Sequence, residues 1–169
     1  MVKSLHAPWR MEYILGKTAQ AEGCIFDLYP DQPHAKDGLI LYRDNQVVIL
    51  LNRFPYTNGH LLVAPVRHVG DMGDLTDVEN SAVIHKVQQA VTILRHLLHP
   101  DGFNIGLNLG EVAGAGLADH LHYHIVPRWQ DDHNFMTVIG EIRSIPDHLD
   151  NTFDLLLDSF QRLLLEKES

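Results

Sequence analysis

The chain has 169 residues, 45% of them hydrophobic, and a formal net charge of -9, which suits one domain with a substantial core. The acidic balance argues against a nucleic-acid partner, since binding a long polyanion needs many phosphate contacts from Lys and Arg. A single cysteine, Cys24, excludes an internal disulfide framework. No long apolar run or signal-peptide pattern occurs at the N-terminus, so we expect a cytoplasmic protein without membrane association.

The first predicted elements are closely spaced strands. Two apolar runs at residues 39–43 and 46–52 are separated by a polar pair, which predicts a hairpin. Asn58 and Gly59 form a turn signal that leads into a further strand over residues 60–64. The sheet is therefore predicted to start antiparallel.

A long amphipathic helix and a C-terminal helix complete the prediction. Thr76 and Glu79 form a capping-box pattern, and apolar residues then keep helical spacing until Pro100. Residues 103–109 alternate as a strand, and apolar residues between 153 and 164 mark the C-terminal helix. Strands clustered around one long helix predict an α+β domain with an antiparallel sheet.

The most informative stretch holds three histidines at alternate positions, His120, His122 and His124. Successive side chains of a strand point to opposite faces, so the three imidazoles should share one face while Leu121 and Tyr123 occupy the other. Burying three unpaired imidazoles would cost a few kcal/mol for each ring. This pattern favours a functional site over a core strand with satisfied histidines. Two functions remain open: a metal centre and covalent catalysis by one imidazole that the others orient.

A glycine-rich loop over residues 108–119 comes directly before the histidines. Glycines permit positive φ and close approach of a ligand, so such a loop can direct several amide N–H groups at an anion. The alternative is a flexible hairpin connection. Beside three histidines, the loop favours phosphoryl or nucleotidyl chemistry over a bare metal site.

These features resemble the histidine triad (HIT) family. Residues 120–126 match its signature of alternating histidines and apolar residues, and residues 52–63 resemble its other well-marked segment. We therefore expect a single HIT domain across the chain, with an N-terminal extension (1–22), a core (23–136) and a C-terminal segment containing a helix (137–169).

The resemblance extends to one branch of the family. Residues 7–10, 127–129 and 134–136 are similar to the branch that contains bacterial diadenosine tetraphosphate phosphorylases. The implied fold is the HIT-like fold, usually a homodimer whose sheet continues across the interface. The implied substrate is a nucleotide or dinucleoside polyphosphate, and no cofactor is required.

The resemblance also implies roles for individual residues. His122 would attack the α-phosphorus and form a transient nucleotidyl-histidine. His120 and His124 would orient it, hydrogen-bond phosphate oxygens and help the leaving group depart. The implied substrate contacts are Asn52 at the ribose, Asn108 near the α-phosphate, His60 as a fourth histidine, and the backbone N–H groups of Gly114, Ala115, Gly116 and Leu117.

Several of these residues have simpler alternatives. Asn52 could cap a strand, and His60 could be a surface residue beside a turn. An apolar base pocket could include Leu39, Leu41, Val48 and Leu50, although core packing explains the same residues.

Two departures from the family pattern bear on the chemistry. The loop before the triad, residues 115–118, lacks the Gln or Ser that many members carry. Attacking water must lose a proton, whereas inorganic phosphate is already anionic, so the missing group favours phosphorolysis over hydrolysis.

The second departure concerns zinc. Several relatives hold a structural ion with two cysteines, but here the second cysteine is replaced by Asp27, a harder ligand. We therefore expect no metal and interpret Cys24 as a small buried residue. The alternative is a zinc site formed by Cys24, Asp27, His68 and His120.

Other functions also remain open. A nucleoside phosphoramidase-type hydrolase of the same family would use the same residues. A non-catalytic nucleotide-binding or metal-binding module would use the triad only to hold a ligand. The base and the number of bridging phosphates cannot be read from the sequence.

Overall fold

The structure, a computed structural model, describes residues 23–130, 132 and 147–165. These residues form one five-stranded sheet and two α-helices, so the predicted α+β class is confirmed. The elements are β1 (Ile40–Arg43), β2 (Val47–Leu51), β3 (Leu61–Pro65), α1 (Asp77–Leu98), β4 (Gly102–Leu107), β5 (Tyr123–Arg128) and α2 (Leu149–Leu165). The strand order is β1-β2-β3-β5-β4, and every neighbouring pair is antiparallel.

Helix α1 begins where the capping box was predicted. The Thr76 hydroxyl accepts a hydrogen bond from the Glu79 amide, and the Glu79 carboxylate accepts one from the Thr76 amide. The helix ends at Leu98, and His99 adopts a left-handed conformation before Pro100. Local sequence signals thus determined both ends of this helix.

The sheet has two differently covered faces. Helices α1 and α2 pack against one face and form the main core with β2, β3 and β5. A smaller apolar cluster around Phe26 lies on the opposite face, as the strand alternation requires. Of the residues suggested for a base pocket, Leu39 and Leu41 belong to the main core, contrary to that suggestion. Val48 and Leu50 lie in the smaller cluster.

The triad segment enters the sheet later than its alternation suggested. The ladder between β3 and β5 begins with Tyr123 opposite Val63. The Leu121 amide instead donates to the Val69 carbonyl at 2.7 Å. Pro65, the last residue of β3, has no N–H to extend the ladder. Only the last of the three histidines therefore lies in regular β-structure.

Some sequence predictions fall on residues that the structure does not describe. The N-terminal extension (1–22), the branch-specific residues 7–10 and 134–136, and part of the C-terminal segment lie outside the described residues. Within the described ranges, no helix is long and apolar enough to cross a bilayer.

The turn between β2 and β3 requires glycine at position 59. Gly59 has φ +74°, and a Cβ there would lie 2.5 Å from Leu98 Cδ1. We expect Gly59→Ala to lower the free energy of unfolding by about 1–3 kcal/mol, because both the backbone and the contact with α1 would be strained. Urea denaturation measures this change.

Gly102→Ala is the matched control, since nothing lies within 4 Å of its Cβ position and its φ is not in the positive range. Equal unfolding midpoints for the two variants would contradict the steric explanation.

Candidate functional site

The three histidines form a row on the face of the sheet opposite the helices. The rings of His122 and His124 have centroids 5.0 Å apart. Phe26 packs against both His120 and His122, with centroid distances of 4.8 and 5.2 Å. The predicted shared face of the imidazoles is thus observed, with an apolar ring closing one end of the row.

His122 has a defined tautomer. Its Nδ1–H donates to the main-chain carbonyl of His120 at 2.7 Å, so the lone pair of the neutral ring is on Nε2. Burial lowers the pKa of His122, and the hydrogen bond to the carbonyl opposes this shift to a smaller degree. A neutral imidazole with its Nε2 lone pair available has the form that a nucleophile requires.

His124 is oriented by His60 from the neighbouring strand. The Tyr56 amide donates to His60 Nδ1 at 3.1 Å, and the Asn52 carboxamide lies 3.3 Å from the same atom. His60 Nδ1 is therefore an acceptor, and its Nε2–H donates to His124 Nδ1 at 3.0 Å. The remaining proton of a neutral His124 is consequently on Nε2.

The simpler alternatives for His60 and Asn52 can now be compared with the structure. His60 is fully buried, so a surface role for it is wrong. The carboxamide oxygen of Asn52 accepts from the Phe54 amide at 2.9 Å, which matches the predicted cap at the end of a strand. Its role as a ribose contact stays a prediction.

His120 differs from the other two members of the triad. Its Nε2–H donates to the Pro65 carbonyl at 2.8 Å, and its Nδ1 lies 3.2 Å from Cys24 Sγ. Burial lowers the pKa of His120. Both ring nitrogens are engaged, one by Pro65 and the other by Cys24, and contact of this ring with phosphate oxygens stays a prediction. His120 acts on His122 through its main-chain carbonyl.

The four residues of the alternative zinc set lie together. Their ligand atoms, from Cys24, Asp27, His68 and His120, are all within 4.8 Å of one another. Asp27 is 2.9 Å from His68 Nδ1 and 3.7 Å from His120 Nδ1. Two imidazoles, a thiol and a carboxylate are ligand types of tetrahedral zinc sites. His120 Nε2–H donates to the Pro65 carbonyl, and a hydrogen bond of this kind orients the ring of a zinc-bound histidine. These residues therefore fit the ion.

This cluster also corrects two expectations. Cys24 is half-buried rather than fully buried, and although it packs against the apolar cluster around Phe26, its thiol also contacts His120. Only one histidine of the triad belongs to the cluster, so the three imidazoles do not face a common ion.

Sequence reasoning missed the residues that hold this region together. The buried guanidinium of Arg43 donates to the carbonyls of Phe26 and Leu28, and so anchors the segment that carries Cys24 and Asp27. A charged residue within an apolar strand was the available signal. Phe26 lies between Cys24 and Asp27 in the sequence, and nothing in that position predicted its contact with His120 and His122.

Part of the glycine-rich loop is held by hydrogen bonds between its own main-chain groups. The amides of Gly114 and Ala115 donate to the carbonyls of Glu111 and Gly110 at 2.9 and 3.3 Å. These two amides donate within the loop, and their role as anion donors stays a prediction. Gly116 and Leu117 are predicted donors as well. Asn108 donates to the Gly114 carbonyl at 3.4 Å.

Comparison with known proteins agrees with this geometry. Residues 34–131 match the family described as HIT domain. A Mycobacterium tuberculosis protein named AP-4-A phosphorylase is 38% identical over 167 residues, which cover 95% of this chain and 86% of that protein. A Schizosaccharomyces pombe protein named bis(5'-nucleosyl)-tetraphosphatase [asymmetrical] is 31% identical, over 55% of this chain and 50% of that protein.

A solved structure is similar over most of the fold. The crystal structure of a Zn-bound histidine triad family protein from Mycobacterium smegmatis aligns with TM-score 0.64 and 28% identity, covering 85% of this chain and 97% of that one. The ordered row of histidines, the HIT-fold neighbour and the match across more than half of the chain lead to one conclusion: this chain belongs to the HIT domain family.

Proposed function

We propose that this protein is a nucleotidyl transferase that cleaves dinucleoside polyphosphates, with diadenosine tetraphosphate as the leading substrate, through a covalent nucleotidyl-His122. The observation that carries the proposal is the hydrogen bond from His122 Nδ1–H to the His120 carbonyl, which leaves the lone pair of the neutral ring on Nε2. The relative named AP-4-A phosphorylase supports the substrate class.

The first step requires only residues of the row. His122 Nε2 forms a bond to the α-phosphorus while the bond to the bridging oxygen breaks, and that oxygen leaves with the electron pair. The His120 carbonyl stabilises the positive charge that the substituted ring acquires. His124 Nε2–H donates a hydrogen bond to the departing oxygen. A polyphosphate is a stable anion, so no proton need be transferred to it.

We propose phosphorolysis for the second step. A phosphate oxygen attacks the nucleotidyl phosphorus, and His122 leaves as a neutral imidazole. This product is a nucleoside diphosphate. None of the residues 115–118 offers a hydroxyl or carboxamide that would handle the proton of an attacking water.

The metal and the assembly are further parts of the proposal. Cys24, Asp27, His68 and His120 would hold a structural zinc ion, which supplies rigidity rather than chemistry on the substrate. A cytoplasmic homodimer is proposed, and the edge position of β4 with exposed Ile105 supports a sheet that continues into a second copy. The domain division at residues 23 and 136 stays a proposal.

The role of His122 is tested by substitution. We expect His122→Ala to lower turnover by at least about 10³-fold while nucleotide binding persists, because the nucleophile is lost and the other contacts remain. Mass spectrometry of the wild type after brief exposure to diadenosine tetraphosphate should detect an adduct of nucleotide mass on His122.

His85→Ala, at an exposed histidine of α1, is the control and should retain full turnover. Undiminished turnover of His122→Ala would contradict the covalent mechanism.

The acceptor is tested by product analysis with and without added phosphate. With diadenosine tetraphosphate and phosphate, we expect ADP and ATP, because phosphate takes the nucleotidyl group. Without phosphate, we expect slower release of AMP. Chromatography separates these products. Identical products and rates under both conditions would rule out phosphorolysis.

The metal site is tested on the purified full chain. We expect about one zinc ion per chain by elemental analysis, and at least a tenfold weaker affinity in Cys24→Ser, because the softest ligand is removed. Zinc should raise the melting temperature of the wild type, since it binds only the folded state.

His148→Ala removes an exposed histidine outside the cluster and should keep the metal. Unchanged zinc content in both Cys24→Ser and His68→Ala would exclude this site.

A further inference from the structure

A groove of about 560 Å³ lies beside His124 on the histidine face of the sheet. Its floor consists of alternate residues of the two strands at that edge. They are Asn104, Gly106 and Asn108 from the β4 segment and His124, Val126 and Arg128 from β5. The groove is within the size range of small-molecule sites.

Two glycines leave this floor without side chains. In the β4–β5 ladder, Gly106 is opposite His124 and Gly102 is opposite Arg128. Nothing lies within 4 Å of the position that a Cβ would take at either residue, and neither has a positive φ. Glycine inside a strand lowers stability and often marks a position where a ligand approaches closely. Neither backbone conformation nor packing requires Gly106, so space for a ligand explains it.

The polar groups of the groove suit an anion. None of the described residues that line it carries a carboxylate, although the chain has 22 acidic residues. Arg128 supplies a guanidinium, which forms an ion pair with Asp132 and donates a hydrogen bond to Asn104, at distances of 2.5–2.8 Å. The Thr57 hydroxyl and the ring of Tyr56 form the other wall.

The position of the groove relates it to the reaction. Residues 124 and 128 are four positions apart on one strand, which corresponds to about 13 Å. The buried apolar cluster around Phe26 is at the other end of the histidine row. A substrate bonded at His122 would thus have an apolar environment on one side and an open, polar groove beyond His124.

We propose that this groove holds the leaving half of the substrate, an extended polyphosphate that ends in a nucleoside, and that Gly106 sets the size of the leaving group. This inference rests on the proposed function and adds a determinant of specificity to it. The bonds that form and break are those of the first step, and the departing phosphate anion lies over Gly106 with its distal charge near Arg128.

The test compares two substrates that give the same nucleotidyl-His122 and differ only in the leaving group. One is diadenosine tetraphosphate, and the other is adenosine 5'-phosphoramidate, which releases ammonia. We expect Gly106→Val to lower kcat/KM for the first by at least about tenfold and for the second by less than about twofold, with Gly106→Ala intermediate. Ile84→Ala, at an exposed apolar residue of α1 that does not line the groove, is the control and should change neither value.

Equilibrium binding provides a readout that is independent of turnover. In a His122→Asn background, Gly106→Val should weaken binding of diadenosine tetraphosphate at least about tenfold and leave AMP binding unchanged. Melting temperatures of the Gly106 variants should equal or exceed that of the parent, because the added side chain meets open space.

The outcomes separate this inference from the proposed function. Equal losses on both substrates, or no loss on either, would overturn the role of the groove even if the His122 adduct forms. Absence of any adduct would overturn the proposed function, whereas selective weakening of dinucleotide binding would still support the groove.

Discussion

The hydrogen bond between His122 Nδ1–H and the His120 carbonyl is the interaction on which the rest of the site depends. Because the acceptor is a main-chain oxygen, the proton stays on Nδ1 and the lone pair stays on Nε2. The geometry of that carbonyl depends in turn on the buried ring of His120. The Pro65 carbonyl and the Cys24 thiol hold this ring from opposite sides.

A second set of hydrogen bonds gives His124 the complementary tautomer. Backbone donation from Tyr56 fixes His60, and His60 fixes His124 so that it presents a donor. Two neighbouring histidines on the same face therefore have opposite polarities at Nε2, one an acceptor and the other a donor. A nucleophile beside a donor for the departing oxygen is the arrangement that group transfer requires. The first histidine instead lies with Cys24, Asp27 and His68.

Much of the fold could be predicted because its signals are local. The Thr76 capping box and the turn at Gly59 act within a few residues. The roles of His120, Gly114 and Ala115 could not be predicted in this way. Their hydrogen bonds depend on where carbonyl groups come to lie after folding, and Pro65 is 55 residues from His120.

The sequence by itself determined that the three imidazoles share one face, since the period of an extended chain puts alternate side chains on the same side. The resemblance to the HIT family also pointed to the four candidate zinc ligands. Only the tertiary structure decided the surroundings of each histidine. His120 lies in the cluster with Cys24, Asp27 and His68, whereas His122 keeps the lone pair on Nε2. The tertiary structure also revealed that β4 has no side chain opposite His124, because the open space at Gly106 exists only when β4 and β5 pair. Periodicity is a property of the backbone, whereas tautomers and empty space depend on neighbours that distant segments supply.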